Sequence, residues 1–70
     1  IMDIYKYDLS RSQWETLIDQ YIFDERDRKI LKRRLLDGIK FEALAEEFNL
    51  STRYTQKVVE KCEKQLFKHI

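Results

Sequence analysis

Seventy residues suffice for one small domain, and a single glycine with no proline leaves little backbone punctuation for the turns a sheet needs. Charged residues make up 39% and hydrophobic residues 43%, with four Tyr, four Phe and one Trp, so the composition suits amphipathic helices around one core and excludes disorder. The net charge of +1 is unevenly spread: residues 1–24 carry −3, 25–37 carry +3, 38–50 carry −2 and 51–70 carry +3.

Residues 1–9 lack helical periodicity and read as an N-terminal arm bearing Tyr5 and Tyr7. From residue 10 to residue 70 the chain reads as one all-α domain of four helices. Ser10 opens the first, with Gln13 placed to close a capping box and Leu9 and Trp14 at the two positions of a hydrophobic staple. Trp14, Leu17, Ile18, Tyr21 and Ile22 then recur at the spacing of one apolar stripe. Asp24 is the next cap, with Glu25 and Asp27 in the favourable first turn. The second helix is expected to reach about Asp37 and stop at Gly38, the left-handed terminator. Ile30, Leu31 and Leu35 are its core residues. Its other face carries Arg26, Arg28, Lys29, Lys32, Arg33 and Arg34.

Phe41, Leu44, Ala45 and Phe48 define a short third helix over 41–48. It ends at Asn49, which tolerates the left-handed turn better than other residues with a Cβ. Ser51 caps a fourth helix from Thr52 to about Phe67. Thr55, Val58, Val59, Cys62 and Leu66 fall within one arc of about 100° on it. Arg53, Gln56, Lys57, Glu60, Lys61 and Lys64 occupy the opposite arc.

The spacing that carries chemistry is a two-turn helix with alanine on its inner face, a three-residue turn, and a longer helix with a polar outer face. Ala45 permits close approach where two helices cross steeply, and Leu50 fills the wedge inside the turn. This is the pattern of a helix-turn-helix, spanning residues 40–67, and it aims the front of the fourth helix at a DNA major groove. Arg53 and Lys57 can donate to guanine, Gln56 can pair with adenine, and Lys61 follows on the same outer arc. Ser51 and Thr52 suit a phosphate at the helix N-terminus.

Residues 24–67 resemble the C-terminal promoter-reading domain, region 4, of bacterial RNA polymerase sigma factors. The likeness is carried by Asp27-Arg28-Lys29-Ile30-Leu31-Lys32 through Gly38. It is carried also by Phe41-Glu42-Ala43-Leu44-Ala45-Glu46-Glu47-Phe48-Asn49-Leu50-Ser51, which is similar to the family's aromatic-x-x-aliphatic-Ala-x-x-aliphatic-Gly-aliphatic-Ser pattern. The resemblance implies double-stranded promoter DNA as the ligand, contacts from Ser51, Thr52, Arg53, Gln56 and Lys57, and Lys40 near a phosphate. It also implies a short sigma-like regulator of the kind phages encode, with RNA polymerase as a partner. Asn49 replaces the usual Gly. Tyr54 and Thr55 depart from the family's small or basic residue followed by an aliphatic one, so a non-standard target sequence is expected. Nothing here resembles the sigma domain that melts promoter DNA.

Other chemistries find little to work with. The lone Cys62 precludes an internal disulfide framework and falls on the inner arc, as an inert buried thiol would. His69 is the only histidine, without a cluster of metal-ligand spacing, and one glycine makes no phosphate loop. No enzyme activity, metal or cofactor is expected. No apolar run approaches a membrane span or a signal-peptide core, so a cytoplasmic location is expected. Reading more than a half-site calls for a homodimer or a polymerase partner. Three questions stay open in the sequence. The basic run of the second helix either lines a DNA backbone or is balanced by acidic residues of the first helix. The chain either reads DNA or is a protein-interaction module of the same fold that binds RNA polymerase or another regulator. Phe67, Tyr5 and Tyr7 either cover an end of the core or dock another chain.

Overall fold

The computed structural model describes residues 9–69, so the expected arm, with Tyr5 and Tyr7, lies outside the described residues apart from Leu9. Among the described residues there are four helices and no strand: α1 (Arg11–Tyr21), α2 (Glu25–Leu35), α3 (Phe41–Glu47) and α4 (Thr52–Phe67). The long α4 packs against each of the other three, which makes it the axis of the fold.

Local signals set the helix starts. Ser10 Oγ accepts from the Gln13 amide at 3.2 Å, and Gln13 Oε1 accepts from the Ser10 amide at 2.8 Å, which closes the capping box. Asp24 Oδ1 accepts from the Asp27 amide at 3.0 Å and starts α2. That helix ends at Leu35, two residues short of the expected Asp37. Gly38 adopts φ 67°, and the Ile39 amide reaches back to the Arg33 carbonyl at 3.2 Å. A Cβ at position 38 would meet nothing within 4 Å, so glycine is required there by conformation rather than by space.

Asn49 is the other left-handed residue, at φ 56°. Its amide donates to the Glu46 carbonyl at 3.2 Å and the Leu50 amide to the Ala45 carbonyl at 2.8 Å. These two bonds form a Schellman motif, which satisfies the carbonyls orphaned where α3 stops. Leu50 then packs against the core, and Ser51 begins α4 immediately.

The core holds most of the stripes that helical periodicity predicts, while Leu17, Tyr21 and the expected core residue Leu35 are half-buried at its edge. Trp14, Ile18 and Ile22 from α1 and its cap meet Ile30 and Leu31 of α2, Leu44 of α3, and Val58, Val59, Cys62 and Leu66 of α4. Ala45 is buried. Thr55 is fully buried too, and its hydroxyl donates to the Ser51 carbonyl at 2.9 Å, so a polar side chain stands at an inner position without an unmet hydrogen bond. Phe67 meets Trp14 edge-on with ring centroids 6.5 Å apart, and so closes one end of the core. His69 does not fray away from the domain. Its ring stacks on Tyr21 at 4.0 Å and 3°.

Candidate nucleic-acid interface

The front of α4 is built by two caps in series. The Schellman turn at Asn49 redirects the chain, and Ser51 Oγ accepts from the Tyr54 amide at 3.1 Å, fixing the first turn. With 100° between successive residues, Arg53, Gln56 and Lys57 share an arc of about 100° on the side opposite Thr55, Val58 and Val59. All three are exposed, and none makes a hydrogen bond or ion pair with any described residue. Thr52 is half-buried on the flank of the same turn. Lys40, the N-cap of α3, is exposed and makes no side-chain cap bond.

Lys61 differs from this group. Its Nζ lies 3.5 Å from Oδ2 of Asp27, whose side chain is only 6% exposed and faces α4 from the first turn of α2. Asp27 therefore does more than favour its own helix start. Its amide is capped by Asp24, and its side chain joins α2 to α4 by holding Lys61 on one oxygen and Arg26 on the other, at 3.3 Å.

The basic run of α2 is occupied throughout by intramolecular partners. Arg28 donates to the Ile22 carbonyl and, at 2.7 Å, to the Asp19 carbonyl. Lys32 pairs with Asp19 at 2.8 Å, and Lys29 with Glu25 at 3.9 Å. Arg33 forks onto Glu47 and also reaches Asp37. Arg34 donates to the Ile39 carbonyl at 3.0 Å while its guanidinium sits 4.0 Å from the Phe41 ring centroid. Acidic and carbonyl groups of α1 neutralise part of this face, as one of the two sequence readings has it, but α3 contributes as well.

Tyr54 was not among the residues that the sequence pattern points to. It is 45% exposed on the first turn of α4, and its hydroxyl accepts from Arg26 Nη2 at 3.2 Å. A tyrosine directly after an outward-facing arginine is the only trace of this contact in the sequence. Among the described residues one more large apolar side chain is exposed, Phe23, at 80% in the α1–α2 connection. Beside it lies an open groove of about 260 Å³ lined in part by Tyr21, Asp24, Cys62 and Gln65.

Cys62 contributes no nucleophile to that groove. Burial, and secondarily the negative charge of Asp27, pushes its thiol up to about 11, so it stays protonated at neutral pH. Among the described residues no group of His, Cys, Asp and Glu could hold a metal ion, and no helix is long and apolar enough to cross a membrane. No known protein family, characterised protein or solved structure is significantly similar to the chain.

Proposed function

We propose that the chain binds double-stranded DNA as a helix-turn-helix, α3 supporting α4 and the first turns of α4 entering the major groove. One contrast carries this reading. Every cation of α2 makes at least one intramolecular side-chain hydrogen bond or ion pair, whereas Arg53, Gln56 and Lys57 are exposed on one ridge and make none with any described residue. Unpaired donors on a capped, rigid helix suit base edges and phosphates, because little side-chain reorganisation precedes contact. The left-handed turn at Asn49 and the small buried Ala45 suit a close approach of α3 to α4, which supports the helix-turn-helix reading.

In this reading Ser51 and Thr52 meet a phosphate at the helix N-terminus, and Lys40 meets one beside it. Lys61 contributes positive potential from further along the helix, since Asp27 already engages it. One recognition helix covers a half-site of a few base pairs, so a second copy of the chain or RNA polymerase supplies the rest of the affinity. A gel shift with random and selected duplexes at low salt tests the reading: retarded complexes support it, and their complete absence defeats it.

The exposure of Phe23 beside a groove favours a second reading, in which the domain docks RNA polymerase or another regulator without reading DNA. A stable complex with polymerase from a protein that shifts no duplex would select it.

A further inference from the structure

Asp27, Arg26 and Tyr54 form a cluster that bridges α2 and α4. The carboxylate of Asp27 is buried, yet it accepts from Arg26 Nε at 3.4 Å and Nη2 at 3.3 Å, while Nη2 also donates to the Tyr54 hydroxyl. The guanidinium carbon lies 5.6 Å from the Tyr54 ring centroid. An arginine side chain that is itself 43% exposed is thus fastened against the first turn of α4 at Tyr54.

Two donors in this cluster remain unspent. Nη1 of Arg26 makes no hydrogen bond to any described residue. The Tyr54 oxygen accepts from Arg26, which leaves its own O–H free to donate. Both sit on side chains that are hydrogen-bonded to each other, and both suit an oxyanion, the guanidinium by charge and the phenol by a directed O–H. Helices in contact have axes about 8–10 Å apart, and the major groove is about 12 Å wide, so a cation on the helix beside α4 stands at the phosphate wall when α4 is in the groove.

We propose that Arg26 and Tyr54 together form a backbone-phosphate contact flanking the groove, with Asp27 as the positioning residue that holds Arg26 in place. The footprint on DNA then extends beyond α4 to the first turn of α2. This inference rests on the DNA-binding reading of α4. The contact carries no base information, so it raises affinity equally for every duplex.

The test is fluorescence anisotropy of the whole chain with random-sequence duplex over a series of potassium chloride concentrations. Arg26→Ala is expected to reduce the log–log salt slope by about 0.9 and to weaken binding roughly five- to ten-fold near 0.1 M salt. Arg26→Lys is expected to keep the slope. Tyr54→Phe should lose affinity on every duplex with the slope unchanged. Circular dichroism and thermal midpoints establish that the variants are folded. If Arg26→Ala does not fold, Tyr54→Phe, which leaves the inner face of α4 intact, decides the matter by its affinity. Wild-type slope and affinity in Arg26→Ala, or wild-type affinity in Tyr54→Phe, alongside weakened binding in Lys57→Ala, overturn this inference and leave the α4 reading standing. A wild-type chain that binds no duplex at low salt overturns both.

Discussion

Arg33 grips Glu47 in a two-point fork, Nε to Oε2 at 3.0 Å and Nη2 to Oε1 at 2.7 Å, and so fastens α2 to the last residue of α3. The same guanidinium reaches Asp37 through Nη1 at 3.1 Å, and Asp37 in turn holds Arg11 of α1 at 2.8 Å. Three helices are laced together at the surface. Isolated exposed ion pairs contribute little, but a bidentate pair within a network fixes geometry.

This lacing predicts an acid limb of stability. Hydrogen bonding from Arg33 holds the Glu47 carboxyl below its ordinary value, and Arg11, then Arg33, does the same for Asp37. Carboxyls depressed in the folded state bind protons later than in the unfolded chain. Their contribution is therefore complete above the unfolded values of about 4 and is lost as pH falls through the lower folded ones. Thermal midpoints should be nearly flat from neutral pH to about pH 5 and drop below about pH 4. Glu47→Gln should make that drop shallower. A midpoint that rises on acidification in the wild-type chain contradicts the assignment.

Ala45→Leu should cost about 1–3 kcal/mol, because the added methylenes meet a buried position in the contact between α3 and α4. Urea unfolding followed by circular dichroism measures it. Ala45→Gly provides the contrast, since it removes bulk and loses about 1 kcal/mol from helix propensity alone.

Asn49→Gly should be neutral or slightly stabilising, whereas Asn49→Ala should lose about 1–2 kcal/mol, because φ of 56° brings a Cβ near its own carbonyl, a crowding that asparagine tolerates better than alanine. Equal stability of the two variants would mean that the turn had changed shape.

Arg53→Ala and Lys57→Ala should weaken DNA binding in different ways. A base-reading arginine costs about 1–3 kcal/mol on the selected duplex and little on random duplex. A phosphate-bound lysine weakens both alike and lowers the salt slope by about 1. Titrations of both variants on both duplexes at two salt concentrations separate the roles, and unchanged affinities would remove the residues from the interface.

Much of the fold was legible because its punctuation is local. Ser10, Asp24 and Ser51 act within three residues of themselves, and Asn49 and Gly38 are read from the backbone angles their residue types tolerate. The apolar stripes of α1 and α4 were legible for the same reason, being periodic. What escaped was side-chain partnership over long separations. Asp27 looked like an ordinary first-turn acid because its link to Lys61 spans two helices and appears only once α2 lies against α4. The basic run of α2 stayed open between two readings because partners such as Asp19 for Lys32 and Glu47 for Arg33 are brought to it only by packing. Charge counted along a chain cannot tell a paired arginine from a free one. Arg53 and Lys57 are distinguished only by what fails to reach them.

The depth of Cys62 has a practical corollary. A chain whose single thiol is buried and protonated at neutral pH offers a quiet background for sulfhydryl reagents. A cysteine introduced at Gln56 or Gln65 would then take a maleimide dye alone, so distances from either end of α4 to a labelled partner can be measured without first removing the native residue.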